Sequence, residues 1–67
     1  MITLSINGEF RNIHSGASLA ALLNELSLAG KRVAVEKNGE IVPRSRYCDT
    51  ALADGDQLEI VVAVGGG

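Results

Sequence analysis

Three separated stretches of this chain alternate apolar and polar residues, and one stretch between them follows a helical period. "ITLSI", residues 2–6, puts Ile2, Leu4 and Ile6 on one face of a strand. Asn7-Gly8 follows, a dipeptide favoured in two-residue hairpin turns, and "EFRNI", residues 9–13, returns as the second strand. Phe10 and Ile13 are three apart and cannot share a face without a bulge. Ile13, next to the start of the helix, is the core candidate, and Phe10 is left exposed. "HSGAS" is a loop with Ser18 as N-cap. Leu19, Leu22, Leu23 and Leu26 then recur at helical spacing, with Asn24, Glu25 and Ser27 off the stripe and Gly30 at the C′ position that ends the helix. "RVAVEK" alternates again, and Asn38-Gly39 repeats the hairpin signal before "EIV". Pro43, which cannot donate to a sheet ladder, closes that hairpin. "RSRYCDTALA" has no clear period and predicts an irregular segment or a short helical turn. "DGD" is a further turn, and "QLEIVVAV" is the last strand.

The order β-β-α-β-β-(turn)-β predicts an α+β fold of the β-grasp type, with a mixed sheet of four to five strands packed on one main helix. Residues 1–64 form a single domain in this reading, and 65–67 a flexible glycine tail. The last strand lies centrally, parallel to the first, and the helix and second hairpin supply the crossover that parallel pairing requires. Leu58, Ile60, Val62 and, further on, Val64 face the helix. Val61 and Ala63 then face outward, where a solvated sheet is normally polar. Isolated surface valines are common, but the preferred reading is an apolar partner-docking patch of Val61 and Ala63, joined by Phe10, at the root of the tail.

Composition narrows the chemistry. A chain of 67 residues buries about 60% of its unfolded surface, which leaves little material for walling a deep cleft. Apolar content of 46% and charged content of 21% are those of an ordinary globular domain. Phe10 and Tyr47 are the only aromatics and the net charge is −2, so neither a base-stacking platform nor a basic footprint for nucleic acid is present. A single cysteine and a single histidine exclude an intramolecular disulfide and any cysteine-only metal site, and no metal is expected. The opening "ITLSI" has no basic flank or long apolar run, which predicts no leader peptide, no membrane span and a cytoplasmic location. His14, Cys48 and Asp49 supply the residue types of a nucleophilic trio, but such a site also needs a pocket and an oxyanion hole. A loop histidine and a small thiol account for them better, so no catalytic residue is assigned. Arg44 and Arg46 flank Pro43 as a solvated edge, and hairpin turns account for both copies of "NGE".

The ending "VVAVGGG" is the feature that composition does not explain. Gly65, Gly66 and Gly67 carry no side chains, and extended they reach roughly 10 Å, enough to bring the terminal carboxylate into a partner's cleft. A narrow groove threads Gly-Gly while excluding bulkier tails. A carboxylate is a poor electrophile until activated, commonly by adenylation. The pattern therefore makes chemical sense if this chain is the substrate and the catalyst lies elsewhere.

"RVAVEKNGEIVPRSRY", "DGDQLEI" and "VAVGGG", together with "NGE" after the first strand and "GASLAALLNEL" at the helix, resemble the ThiS family of sulfur carriers in thiamine biosynthesis. The resemblance covers essentially the whole chain. It implies a ubiquitin-like carrier, not an enzyme and free as a monomer, whose Gly67 carboxylate an adenylating (E1-like) enzyme converts to an acyl-adenylate. ATP is used by that enzyme, and no cofactor is bound by the carrier. A persulfide donor then replaces AMP with sulfur, and the Gly67 thiocarboxylate serves thiazole synthase. Gly66 and Gly67 carry the motif. Gly65 stands where some relatives have a larger residue, and Tyr47 is read as packing. The sulfur carrier of molybdopterin synthesis is the nearest alternative, but that group tends to carry prolines before its Gly-Gly, and the proline here is Pro43. A ubiquitin-like modifier, with Gly67 in an isopeptide bond, is the alternative of another class.

Overall fold

Both Asn-Gly pairs turn as the sequence indicates. Asn7 and Gly8 have φ of 52° and 85°, and Asn38 and Gly39 repeat those values, the left-handed conformations that a two-residue hairpin turn of this kind needs at both central positions. In the computed structural model, which describes residues 1–63, the first turn joins β1 (Ile2–Ile6) to β2 (Glu9–Ile13). The second joins β3 (Val33–Lys37) to β4 (Glu40–Val42). Helix α1 (Leu19–Glu25) lies between the hairpins, a 3-10 helix spans Arg44–Asp49, and β5 (Gln57–Val62) follows. The sheet has five strands in the order β2-β1-β5-β3-β4. β5 is central, parallel to β1 and antiparallel to β3, which is the β-grasp arrangement. Among the described residues no helix is long and apolar enough to cross a membrane.

The first hairpin needs no bulge. Its register runs unbroken from Ile2 opposite Ile13 to Ile6 opposite Glu9, so Ile13 turns to the helix side and is buried while Phe10 turns away from it. Leu4, Ile6, Val35, Leu58 and Ile60 from the sheet pack with Leu19, Leu22 and Leu23 from α1. Tyr47 of the 3-10 helix is also buried, and its hydroxyl donates to the Val33 carbonyl at 3.3 Å. The ring fills space and the hydroxyl ties the irregular segment to β3, so the packing role is confirmed.

Ser18 caps α1, its Oγ accepting from the Ala21 N–H at 3.1 Å. The other end departs from expectation: α1 stops at Glu25, and Ser27, not Gly30, takes the C′ position with φ 61°. The Leu28 N–H reaches back to the Leu23 carbonyl at 2.8 Å and the Ser27 N–H to that of Asn24 at 3.1 Å, the bond pair of a left-handed helix stop. Gly30 (φ 84°) serves the following turn, where the Lys31 N–H meets the Leu28 carbonyl at 3.0 Å. This early stop explains a second difference. Val62, expected in the core, is 42% exposed, whereas Ile60 is 7% exposed. The helix ends too soon to cover Val62, which instead lines a surface groove with Leu26 and Leu28. Val64 lies outside the described residues.

Two turn asparagines also hold β5. Beyond the last parallel pair, Ile6 with Leu58, the Asn7 N–H donates to the Leu58 carbonyl at 2.9 Å. The Asn7 side chain then continues the ladder: Nδ2 donates to the Ile60 carbonyl at 3.0 Å, and Oδ1 accepts from the Ile60 N–H at 2.8 Å. Asn38 grips the start of the strand, accepting from the Gln57 N–H at 2.9 Å and donating to Asp56 Oδ1 at 3.0 Å. Buried Asp56 in turn accepts from the Ala53 N–H at 2.8 Å. The repeated "NGE" thus does more than turn the chain. Asn7→Gly keeps a residue tolerant of the left-handed turn while removing the side-chain bonds, and it is expected to cost about 1–2 kcal/mol in urea denaturation. No measurable loss would mean that water serves the Ile60 backbone as well as Asn7 does.

Candidate functional site

α1 and the 3-10 helix cover one face of the sheet, so the other face meets solvent. The register sets which side chains share that outer face. Phe10 stands opposite Ser5, and Ser5 is level with Gln57. One step along the central strand, Glu59 stands opposite Glu36, which stands opposite Ile41. A further step brings Val61 opposite Ala34. Phe10 is 81% exposed, Ile41 77% and Val61 63%. Ala63, also exposed, follows with its N–H bonded to the Arg32 carbonyl at 2.9 Å.

The three residues assigned to a docking patch are therefore all exposed, but they do not form one contiguous surface. Val61 and Ala63 adjoin at the end of β5. Phe10 lies two strands away and two rows back, with the Glu59 row between. The apolar neighbours of Val61 are Ala34 and, one row off, Ile41. Neither residue emerges from single-strand alternation, because "VAVEK" and "EIV" acquire faces only once the second hairpin is registered against β5. That signal was present in the two-residue Asn-Gly turn, which fixes Glu36 opposite Ile41.

Gly65, Gly66 and Gly67 lie outside the described residues. The strand that leads to them is held on one side by β3 through Val62 and on the other by β1 and Asn7 as far as Ile60. The paired strand thus extends to Val62, with the Ala63 N–H bonded to the Arg32 carbonyl beyond it.

The remaining candidates are dispersed. Cys48 is an exposed free thiol in the 3-10 helix, and His14 is exposed at the end of β2, so neither has the enclosed setting that a nucleophile–base pair requires. Arg44 and Arg46 are exposed on the same 3-10 helix. Among the described residues no group of three or more His, Cys, Asp or Glu side chains converges to hold a metal ion.

Comparison with known proteins adds to this geometry. The ThiS family model matches residues 4–67. A sulfur carrier protein ThiS from Bacillus subtilis is 48% identical over 46 residues, covering 69% of this chain and 70% of that protein. A thiazole synthase from Paramagnetospirillum magneticum is 53% identical over 64 residues, covering 96% of this chain, which spans 20% of that protein's length. The crystal structure of the thiamine biosynthesis protein ThiS from Geobacter metallireducens superposes with a TM-score of 0.83 at 32% identity, over 98% of this chain and 100% of that one. Similarity in sequence along nearly the whole chain and in fold with a solved member agree, and the chain belongs to the ThiS family, the sulfur carriers of thiamine biosynthesis.

Proposed function

We propose that the chain is a co-substrate whose chemistry falls on the carboxylate of Gly67. The observation that carries this reading is a side-chain-free Gly65–Gly67 segment following a central strand anchored on both flanks. An adenylating enzyme brings that carboxylate against the α-phosphate of ATP, forming the acyl-adenylate and releasing pyrophosphate. The outer sulfur of a persulfide attacks the acyl carbon and expels AMP. A thiol then cleaves the resulting S–S bond, being itself oxidised to a disulfide, and leaves a thiocarboxylate on Gly67. Thiazole synthase consumes that sulfur and returns the carboxylate. The match of this chain to part of a thiazole synthase supports that partnership, since a carrier domain within such a protein keeps sulfur donor and acceptor together. The cycle is read as cytoplasmic, where ATP is at hand for the adenylation.

In this reading the folded domain supplies recognition and the tail supplies reach. Gly65 and Gly66 thread a groove too narrow for a Cβ. Val61 and Ala63, at the end of β5, form the docking surface beside that groove, with Phe10 as a separate contact at the far side of the sheet.

Deleting Gly66 and Gly67 is expected to abolish carrier-dependent pyrophosphate exchange by the adenylating enzyme and to leave the melting temperature nearly unchanged. Retained exchange would move the chemistry off the terminus, and a large fall in melting temperature would make the tail a structural element. Val61→Glu, at a solvent-facing position, is expected to raise the Kd for the adenylating enzyme by about tenfold without unfolding the carrier. An unchanged Kd in isothermal titration would remove Val61 from the docking surface.

A further inference from the structure

The chain has four asparagines, and two of them, Asn7 and Asn38, precede a glycine. An asparagine side chain is open to attack by the backbone nitrogen of the next residue, and glycine, with no Cβ, hinders that attack least. Both glycines leave their nitrogens free for it. Gly8 and Gly39 are exposed, and a Cβ built at either position would meet nothing within 4 Å. Among the described residues neither N–H donates to a backbone acceptor. Asp54-Gly55 makes the contrast: its glycine N–H is committed to the Thr3 carbonyl at 2.8 Å, and Asp54 Oδ1 accepts from the Thr3 N–H at 2.7 Å.

The same two asparagines hold β5 through their side chains. Asn7 Nδ2 donates to the Ile60 carbonyl and Asn38 Nδ2 to Asp56 Oδ1, each at 3.0 Å. In both, the donor nitrogen is the group that deamidation expels.

We propose that Asn7 and Asn38 are sites of spontaneous deamidation, and that each conversion loosens β5 from the turn that holds it. The Gly8 nitrogen bonds to Asn7 Cγ, the Cγ–Nδ2 bond breaks, and Nδ2 leaves as ammonia with the proton that Gly8 gave up. Water then adds to one of the two carbonyls of the cyclic imide and breaks its bond to the Gly8 nitrogen. The product is aspartate or, with the chain rerouted through Cγ, isoaspartate; nothing is oxidised or reduced. Gly39 and Asn38 react in the same way. At residue 7 the product has no donor for the Ile60 carbonyl. At residue 38 it sets a carboxylate where the donor to Asp56 stood, and the two like charges repel. Folding opposes the reaction, because Nδ2 cannot leave until its bond to β5 is given up, which takes local opening of the turn. None of this depends on the carrier reading, since the reacting groups lie within the folded domain.

For the test, the full chain is aged at mildly alkaline pH, folded and in urea, and its proteolytic peptides are mapped for isoaspartate. In urea, Asn7 and Asn38 are expected to convert well ahead of Asn12 and Asn24, which precede Ile13 and Glu25. In the folded chain both are expected to convert at least about tenfold more slowly than in urea. Conversion in urea no faster than at Asn12 and Asn24 would overturn the sites, and equal rates with and without urea would overturn the guarding bonds. The consequence is read on Asn7→Asp and Asn38→Asp, the aspartate products made directly. Aspartate tolerates the left-handed turn, so each variant is expected to melt below the unaltered chain through the lost donor, Asn38→Asp the lower of the two. A melting temperature at or above that of the unaltered chain would overturn the loosening. Amide hydrogen exchange separates loosening from general instability: in Asn7→Asp, the Ile60 amide is expected to quicken about tenfold more than the Leu22 amide of α1. Equal acceleration of the two would make the loss global and overturn its assignment to β5.

Discussion

Strand β5 is hydrogen-bonded along both edges, and the rest of the protein is arranged around keeping it there. Its parallel pairing with β1 joins residues some fifty positions apart, Ser5 with Gln57 and Ile6 with Leu58, and such non-local pairing gains nothing until the intervening chain has closed. The main-chain parallel ladder is short. The Asn7 side chain lengthens it by bonding both backbone groups of Ile60, while Asn38, from the β3–β4 turn, caps the start of the strand on its other edge. A side-chain hydrogen bond of this kind contributes about 0.5–1.5 kcal/mol net, a substantial share of the stability of a domain this small. Leu58 and Ile60 between those clamps are pressed onto Leu19, Leu22 and Leu23. Hydrophobic burial and polar anchoring therefore act on the same few residues.

That arrangement divides labour along the last eleven residues. Up to Val62 the chain is strand, with one side buried and the other exposed. Beyond it lie the residues that the proposed function assigns to chemistry. A carrier, as the proposed function has it, needs no catalytic cleft of its own. It needs a surface that one set of partners recognises and an end that fits their active sites. In the proposed function the outer sheet face is that surface: it is open, with Glu36 and Glu59 in one row and exposed Val61, Ala34 and Ile41 beside them. The chain belongs to the ThiS family, and in the proposed function the enzymes that charge and discharge the carrier are the partners of that surface.

Much of this was legible in the residues because the strongest signals are local. Each Asn-Gly pair dictates a turn by its φ angles alone, and Ser18 before the leucine stripe marks a helix start. The three-residue offset of Phe10 and Ile13 already separates an exposed ring from a buried one. The features that escaped depend on distance or on competition. Asn7 and Ile60 are far apart in sequence, so nothing near either one reveals the clamp. Gly30 is the better left-handed residue by type, yet Ser27 ends α1, and Leu28 just beyond it packs against the core. Val62 alternates correctly with Leu58 and Ile60, but alternation states a direction and not what lies in that direction, and the short helix leaves it half-open. Ile41 and Ala34 join Val61 only through a sheet register that spans both hairpins.

The central claim is that the reacting group is the chain's own terminal carboxylate, with the side chains serving recognition. The most direct measurement is mass spectrometry of proteolytic fragments after incubation with the adenylating enzyme, ATP and a persulfide donor, so that a change at the C-terminal fragment is told apart from sulfur on Cys48 and from oxidation of Met1. The account expects one oxygen of Gly67 to be replaced by sulfur. Sulfur found on Cys48, with Gly67 unaltered, would contradict it.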